Sequence, residues 1–472
     1  LCDRKVLMIR HIVRPRVRLG LLPLLGASVA VVALSIPTLA TAETLFEALA
    51  SAYISNPTLQ AARAAVRTTD EGVPQALSGW RPTVSVSGSA GVQSSETNAS
   101  STTTDQDLVP TTLSADISQS LYAGGQTVAG TSQAEANVQV ARAQLAVVEQ
   151  QVLLDGVTSF LDVLRDQATV QLTKNNETVL QRQLEATKDR FEVGEVTRTD
   201  VAQAEARLSG TVAERVNAEG ALAISRGAYR QVFGAMPTTL QAAPPLPALP
   251  ANVAEAIATA EAENPAILVN LQNEIAARHA VVVAKGNMLP TVDLAGRLRR
   301  TDEASIENSD TTSSSLIASV SIPLYQAGAV HSQIRQAKEL LNQRRIEVEQ
   351  SRRDVVQIAS QSWDLMTTTR SQISARAEEI RANEIALEGV RQEAEVGSRT
   401  TLDVLDAEQE LLNSRVTLVV AERDEYVAGY TLLAAIGRLT ARHIGLPVEG
   451  YDPARHYQKV RNKWWGWNTV KD

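Results

Sequence analysis

The sequence predicts a mainly α-helical, internally duplicated chain carrying a little β-structure. Three observations carry that expectation. Proline is absent from 111–236 and from 324–446, and both tracts are rich in Ala, Gln, Glu, Arg and Leu, for which helix is the natural state. Two-residue alternation appears at 83–92 and 113–121, and again at 292–298 and 318–324. The same order of motifs occurs in both halves.

Composition favours an extended shape. Phe, Trp and Tyr make up 4% of the 472 residues, so no large aromatic-rich core can be built. With 45 Lys plus Arg against 53 Asp plus Glu the formal charge is −8, which argues against nucleic acid, a partner that calls for a concentrated basic surface. Cys2 is the single cysteine, so thiolate metal sites and cysteine nucleophiles are not expected.

Taken in order, the first element is an address. Arg4, Lys5, Arg10, Arg14, Arg16 and Arg18 precede an apolar run over 19–36, and Ala40-Thr41-Ala42 has the small-x-small form of a cleavage site. Residues 1–42 are therefore expected to be an export signal, with a retained anchor as the structural alternative and Met8 as a candidate start. Beyond Ala42 no stretch of about 18 apolar residues occurs, so any membrane span must be a β-barrel.

The halves align residue by residue. Leu121-Tyr122 matches Leu324-Tyr325, Val193-Gly194 matches Val396-Gly397, Asp200 matches Asp403, and Ala204-Glu205 matches Ala407-Glu408, all at one offset. Upstream, Asn56-Pro57 matches Asn264-Pro265 at a larger offset, which puts a length-variable loop between Val84 and Leu121. The expected organisation is repeat 1 over 43–236, a Pro-rich linker over 237–252, repeat 2 over 253–437 and a tail over 438–472.

Within each repeat a helix comes first, over about 56–79 or 264–288, where Asn-Pro suits the cap and first-turn positions. Two strands of about ten residues follow, separated by polar loops at 94–110 and 301–314. One greasy and one wet face suits a transmembrane barrel strand. Taken alone, the alternation fits two soluble hairpins better. After each hairpin comes a rod; residues 126–191 would span about 100 Å at 1.5 Å per residue. Each tract breaks once, at Val193-Gly194 and Val396-Gly397, where glycine can end a helix. Thr199-Asp200 and Thr401 with Asp403 are candidate caps for the next helix. Leu405, Leu412, Val419, Tyr426 and Leu433 then recur at sevens, beside a row of Leu402, Val416 and Tyr430 that also carries Gln409 and Arg423, an imperfect coiled-coil seam. Four strands are too few to close a barrel and open edges are not tolerated in lipid, so several chains must contribute; three would supply 12 strands.

The duplicated unit, the hairpin exits Leu121-Tyr122-x-Gly-Gly125 and Leu324-Tyr325-x-x-Gly328, and above all Val396-Gly397-Ser398-Arg399-Thr400-Thr401-Leu402-Asp403-Val404-Leu405-Asp406-Ala407 resemble the TolC-type outer-membrane efflux proteins. The resemblance covers 43–437. It implies a homotrimer in outer-membrane lipid, with a 12-stranded barrel continuing into a periplasmic α-helical tunnel. It implies an exit duct for drug efflux or type I secretion, partnered by a periplasmic adaptor (a membrane fusion protein) and an inner-membrane RND or ABC transporter.

The resemblance also assigns site residues. Asp403 and Asp406, three apart on one helix face, match the acidic ring at the tunnel's periplasmic end, where like charges attract cations. Arg399 matches an arginine that locks the entrance by bonding across to the positions of Thr199 and Asp200. A tyrosine that some relatives use in that lock corresponds here to Ala394, which leaves the wiring of the latch open. The tips at Val193, Gly194, Val396 and Gly397 match the adaptor-engaging ends. Trp80, Tyr122 and Tyr325 flank the strands where an interface belt would sit, although ordinary packing accounts for them equally well. The tail, with Trp464, Trp465 and Trp467, could wrap the tunnel's middle or be disordered.

Enzymatic readings find little support. His279, His331, His443 and His456 are widely spaced, no Gly-x-Ser-x-Gly occurs, and the phosphate-loop mimic at Gly125 to Gly130 lacks its lysine. No cofactor or metal is expected. The alternative class is a soluble periplasmic coiled-coil adaptor or scaffold, against which the duplication and the four strands argue.

Overall fold

Helix starts and stops are set by short polar signals. The computed structural model describes residues 42–99 and 102–469, so the expected leader lies outside the described residues apart from Ala42. Helix α1 (Leu45–Ser55) opens on a capping box in which the Glu47 N–H donates to Thr44 Oγ1 at 3.2 Å and the Thr44 N–H donates to the Glu47 carboxylate at 2.9 Å. Asn56 caps α2 (Pro57–Asp70) and Asn264 caps α7 (Pro265–Gly286), each with proline at the first turn as the sequence predicts. The first of these helices is shorter than expected. Pro74 has no N–H to give to the preceding turn, and the chain restarts as α3 (Gly72–Leu77) followed by a 3-10 turn at Ser78–Trp80.

The strands are β1 (Thr83–Ala90), β2 (Gln93–Ala99), β3 (Thr102–Leu108), β4 (Thr111–Ala123), β5 (Thr291–Asp302) and β6 (Asp310–Ser321). The region 94–110 is thus a hairpin of β2 and β3, not the expected loop. It continues the ladder of β1 and β4 beyond Gly91, whose N–H donates to the Pro110 carbonyl at 3.1 Å. The second loop is also shorter than expected, because β5 and β6 stay paired out to Asp302 and Asp310. Strands β1, β4, β5 and β6 form one antiparallel sheet in that order, so the two hairpins join through β4 and β5, while β1 and β6 are its edges.

The rods are α4 (Gln126–Glu192) and α8 (Ala329–Glu395), each of 67 residues, about 100 Å. Returning helices α5 (Arg198–Phe233) and α9 (Thr401–Ala435) run back beside them, and α6 (Val253–Glu263) precedes α7. Where β4 passes into α4, Gly124 sits at φ +57° with its Cα against the Gly286 carbonyl; a Cβ there would meet that oxygen and lie 3.0 Å from Leu289 Cβ. This backbone approach lets the end of α7 lie beside β4 and brings β5 into register. Gly124→Ala is therefore expected to cost about 2 kcal/mol or more, read as a lowered melting midpoint of the detergent-solubilised protein. Gly130→Ala, with open space around the new methyl, should be neutral or stabilising.

The main core sits at the middle of the rods. Leu153, Val157 and Phe160 of α4 and Ala359 of α8 pack with Leu45 and Leu49 of α1, Tyr430 and Leu433 of α9 and Leu439 beyond it. A second, small cluster of Leu180, Leu184, Ala204 and Leu405 lies towards the hairpin ends. The tail folds as α10 (Pro453–Val460) against α2, where His456 Nδ1 meets the buried Asp70 carboxylate at 2.9 Å.

Candidate functional site

Two places carry the chemistry that the sequence points to: the sheet and the turns joining each rod to its returning helix.

Register puts every alternating residue of the sheet on one of two faces. Val84, Val86, Leu113, Ile117, Leu316 and Val320 share the apolar face, and all six are exposed. Ser85, Ser87, Ser114, Asp116, Arg297 and Ser315 share the other, with an Asp116–Arg297 ion pair bridging β4 and β5 and a Ser87–Ser114 hydroxyl contact at 2.8 Å; Ile317 is an apolar exception there. A sheet greasy on one face and wet on the other, with neither covered among the described residues, is built for a boundary between lipid and water. Among the described residues no helix is long and apolar enough to cross a membrane. Trp80 lies just before β1, and its carbonyl accepts from Gln119 at 3.2 Å. Tyr122 lies inside β4, past an irregularity at 120/122, rather than after the strand, and Tyr325 follows β6.

The two turns are built alike. Gly194 and Gly397 both sit at φ +81°, and the Glu195 and Ser398 N–H groups reach back to the Arg190 and Glu393 carbonyls at 2.9 Å, closing each rod. Val193 and Val396 are exposed at these tips. The caps differ from the expected ones: Thr197 and Thr400, not Thr199 and Thr401, open α5 and α9. Asp200 and Asp403 stand at the third helical position, each taking two hydrogen bonds from its threonine. The Thr400 N–H donates to Asp403 at 2.9 Å and the hydroxyl at 2.8 Å; for Asp200 and Thr197 the distances are 2.7 and 2.8 Å. The Thr400 amide and hydroxyl hold the Asp403 carboxyl below the usual carboxylate range, with Arg399 adding attraction. The Thr197 hydroxyl and amide do the same for Asp200.

Within one chain the other expected site residues find different company. Arg399 Nε donates to Glu393 at 2.8 Å, across its own turn, rather than to Thr199 or Asp200. Asp406 is paired with Arg207 of α5, which ties the two helical hairpins together. Arg207 is a residue that sequence reasoning missed, because its partner lies 199 positions away and no local spacing marks the pair. Glu408, buried and paired with Arg391 of α8, was also not singled out. Position 394 is an alanine near the end of α8, with no side-chain hydroxyl.

A sheet of this kind carried on helical hairpins about 100 Å long defines an outer-membrane channel subunit. The chain belongs to the outer membrane efflux protein family, whose model matches residues 48–235 and again 256–438. It is similar to the outer membrane efflux protein BepC of Brucella suis, 37% identical over 431 residues covering 91% of this chain and 93% of that protein. It is also similar to the outer membrane protein TolC of Escherichia coli, 25% identical over 428 residues covering 86% and 85%. Among solved structures, the Campylobacter jejuni CmeC outer membrane channel superposes with a TM-score of 0.76 at 14% identity, covering 89% of each chain, a likeness of fold.

Proposed function

We propose that three copies of this chain close a 12-stranded barrel in the outer membrane and continue it as a helical tunnel, forming the exit duct of a tripartite efflux or type I secretion system. One observation carries the reading: a four-stranded sheet whose apolar face and both edge strands, β1 and β6, are left open among the described residues. Open edges are not tolerated in lipid, and pairing β6 of one copy with β1 of the next removes all of them at once. The repeated family match and the two 67-residue rods support an internal duplication that makes the tunnel wall uniform.

In this reading the hairpin ends form the periplasmic entrance. Three-fold symmetry brings Asp403 and Asp406 of three chains around one axis, a ring that favours cations. Val193, Gly194, Val396 and Gly397 stand at the exposed tips and meet a periplasmic adaptor, which couples the duct to an RND or ABC transporter of the inner membrane. Arg399 with Thr199 and Asp200 of an adjoining hairpin, and Arg207 with Asp406, hold the entrance closed.

Membrane fractionation tests the reading against a soluble scaffold. A detergent-requiring trimer recovered from outer membranes supports the duct, whereas a monomer released by osmotic shock contradicts it. For the latch, Arg207→Ser and Arg399→Ser are each expected to raise single-channel conductance of reconstituted trimers about twofold or more; conductance unchanged in both would remove the latch role.

A further inference from the structure

The Trp-rich end of the chain has no role in the duct as described, yet it is held firmly and in one place. Helix α10 packs on α2 through buried His456 and Val460, and Arg461 Nη2 donates to Glu135 of α4 at 3.0 Å, which Tyr457 also meets at 3.3 Å. Beyond α10, Arg81 Nη1 donates to the Lys463 carbonyl at 2.8 Å and the Arg81 guanidinium stacks over the Trp464 ring at 4.8 Å. Gly466, at φ +106°, turns the chain, and Lys463 Nζ donates to the Asn468 carbonyl at 3.0 Å, so the segment folds back on itself. Three indoles result that stand largely uncovered among the described residues: Trp464 is 62% exposed, Trp465 87% and Trp467 98%.

Their height along the molecule is fixed by Arg81, two residues before β1 begins at Thr83. Strands β5 and β6 have 12 residues each, about 40 Å of extended chain. Tilted by about 45°, that rises ~28 Å, little more than the ~25 Å apolar band of an outer-membrane barrel. The register Thr83–Ser118–Ala295 starts β1 within four residues of the start of β5, so the foot of β1 lies near the periplasmic end of that band, and the three indoles lie beside it. Tryptophan is the side chain that prefers this layer, with an apolar ring for the acyl boundary and an N–H for the headgroup zone. Arg81 and Lys463 bring positive charge to the same spot, suited to phosphate.

We propose that the segment Trp464 to Trp467 is an interfacial anchor that docks on glycerophospholipids of the periplasmic leaflet, its indoles at the acyl boundary and Arg81 and Lys463 facing headgroup phosphates. The anchor extends the apolar face of the sheet sideways, below the barrel, and rests on the barrel reading above. Three copies would place nine indoles around the foot of the barrel.

The five tryptophans of the chain are Trp80, Trp363 and the three of the tail, which makes the test direct. A Trp80→Phe/Trp363→Phe trimer leaves only tail indoles to fluoresce. Reconstituted into phosphatidylethanolamine–phosphatidylglycerol vesicles brominated near the headgroup, it should lose about half or more of its emission relative to unbrominated vesicles, with little quenching by aqueous acrylamide. Floating with the vesicles while keeping full emission would overturn the anchor alone. Failure of the correctly folded trimer to float would overturn the barrel reading and the anchor with it. Should the Phe variant not fold, Asn468→Cys in a Cys2→Ser background, labelled with an environment-sensitive dye, gives the same answer: emission shifted to the blue on reconstitution supports the anchor, and emission identical to that in water overturns it.

Discussion

Leu316→Arg and Val86→Arg are each expected to abolish assembly into the outer membrane. Both residues lie near the middle of their strands, on the apolar face, with more than two thirds of their surface exposed. Arginine on the lipid side of a barrel costs about 2–4 kcal/mol at the bilayer midplane. Each substitution enters three times in a trimer, so the total of ~6–12 kcal/mol rivals the stability of a whole domain. Ser319→Arg is the control: it lies on the polar face opposite Asp293, where water and a carboxylate receive it. Immunoblots of outer-membrane fractions should show trimers for Ser319→Arg and none for the other two. Equal amounts of all three would remove the case for a lipid-facing sheet.

Asp403→Asn is expected to lower the cation preference of the reconstituted channel about tenfold, measured as a reversal potential across a salt gradient. Asparagine keeps an acceptor for Thr400, so the helix start survives and only the charge is lost. Asp406→Asn alone should do less, because the ion pair with Arg207 already offsets that charge. Arg207→Ser should move selectivity the other way, towards cations, by freeing Asp406. The pH dependence follows from the cap. The Thr400 amide and hydroxyl favour ionised Asp403, so lowering the pH through the usual carboxylate range should leave much of the cation preference intact, and it should fade only at still lower pH. Thr400→Val removes the hydroxyl bond but keeps the amide bond to Asp403, so only part of that protection goes and the loss should move part of the way to higher pH. Selectivity indifferent to Asp403→Asn would exclude the ring as the site of discrimination.

Much of this architecture is legible in the sequence because it rests on long, repetitive signals. A tract of 66 residues without proline, read as one rod, is a helix of 67, and its glycine break closes the rod through a left-handed residue as expected. The strand faces follow directly from alternation at Val84, Val86, Leu113 and Ile117. What escapes is short or distant. Helices α1 and α6 have 11 residues each and are stabilised by the waist core rather than by length, although the Thr44–Glu47 capping box marks one of them. The β2–β3 hairpin is polar on both sides and has no alternation to detect; it follows from the ladder beneath it. The helix caps fall at Thr197 and Thr400 because only a threonine three places before Asp200 or Asp403 can share two hydrogen bonds with it. Of the entrance, the acids and glycines are visible in the motif, whereas the Arg207–Asp406 tie joins residues of different repeats and is fixed only by the packing of α5 beside α9.

The claim on which the rest depends is that the sheet is completed by neighbouring chains through β1 and β6. Disulfide cross-linking reads it directly, since Cys2→Ser leaves a chain without cysteine. Single cysteines are placed along β1 and along β6 in pairwise combinations, and the membranes are oxidised before denaturing electrophoresis. At the matching register a ladder that ends at three covalently linked chains is predicted. Closure within one chain, seen as cross-linked species that never exceed a monomer in mass at any register, would contradict it.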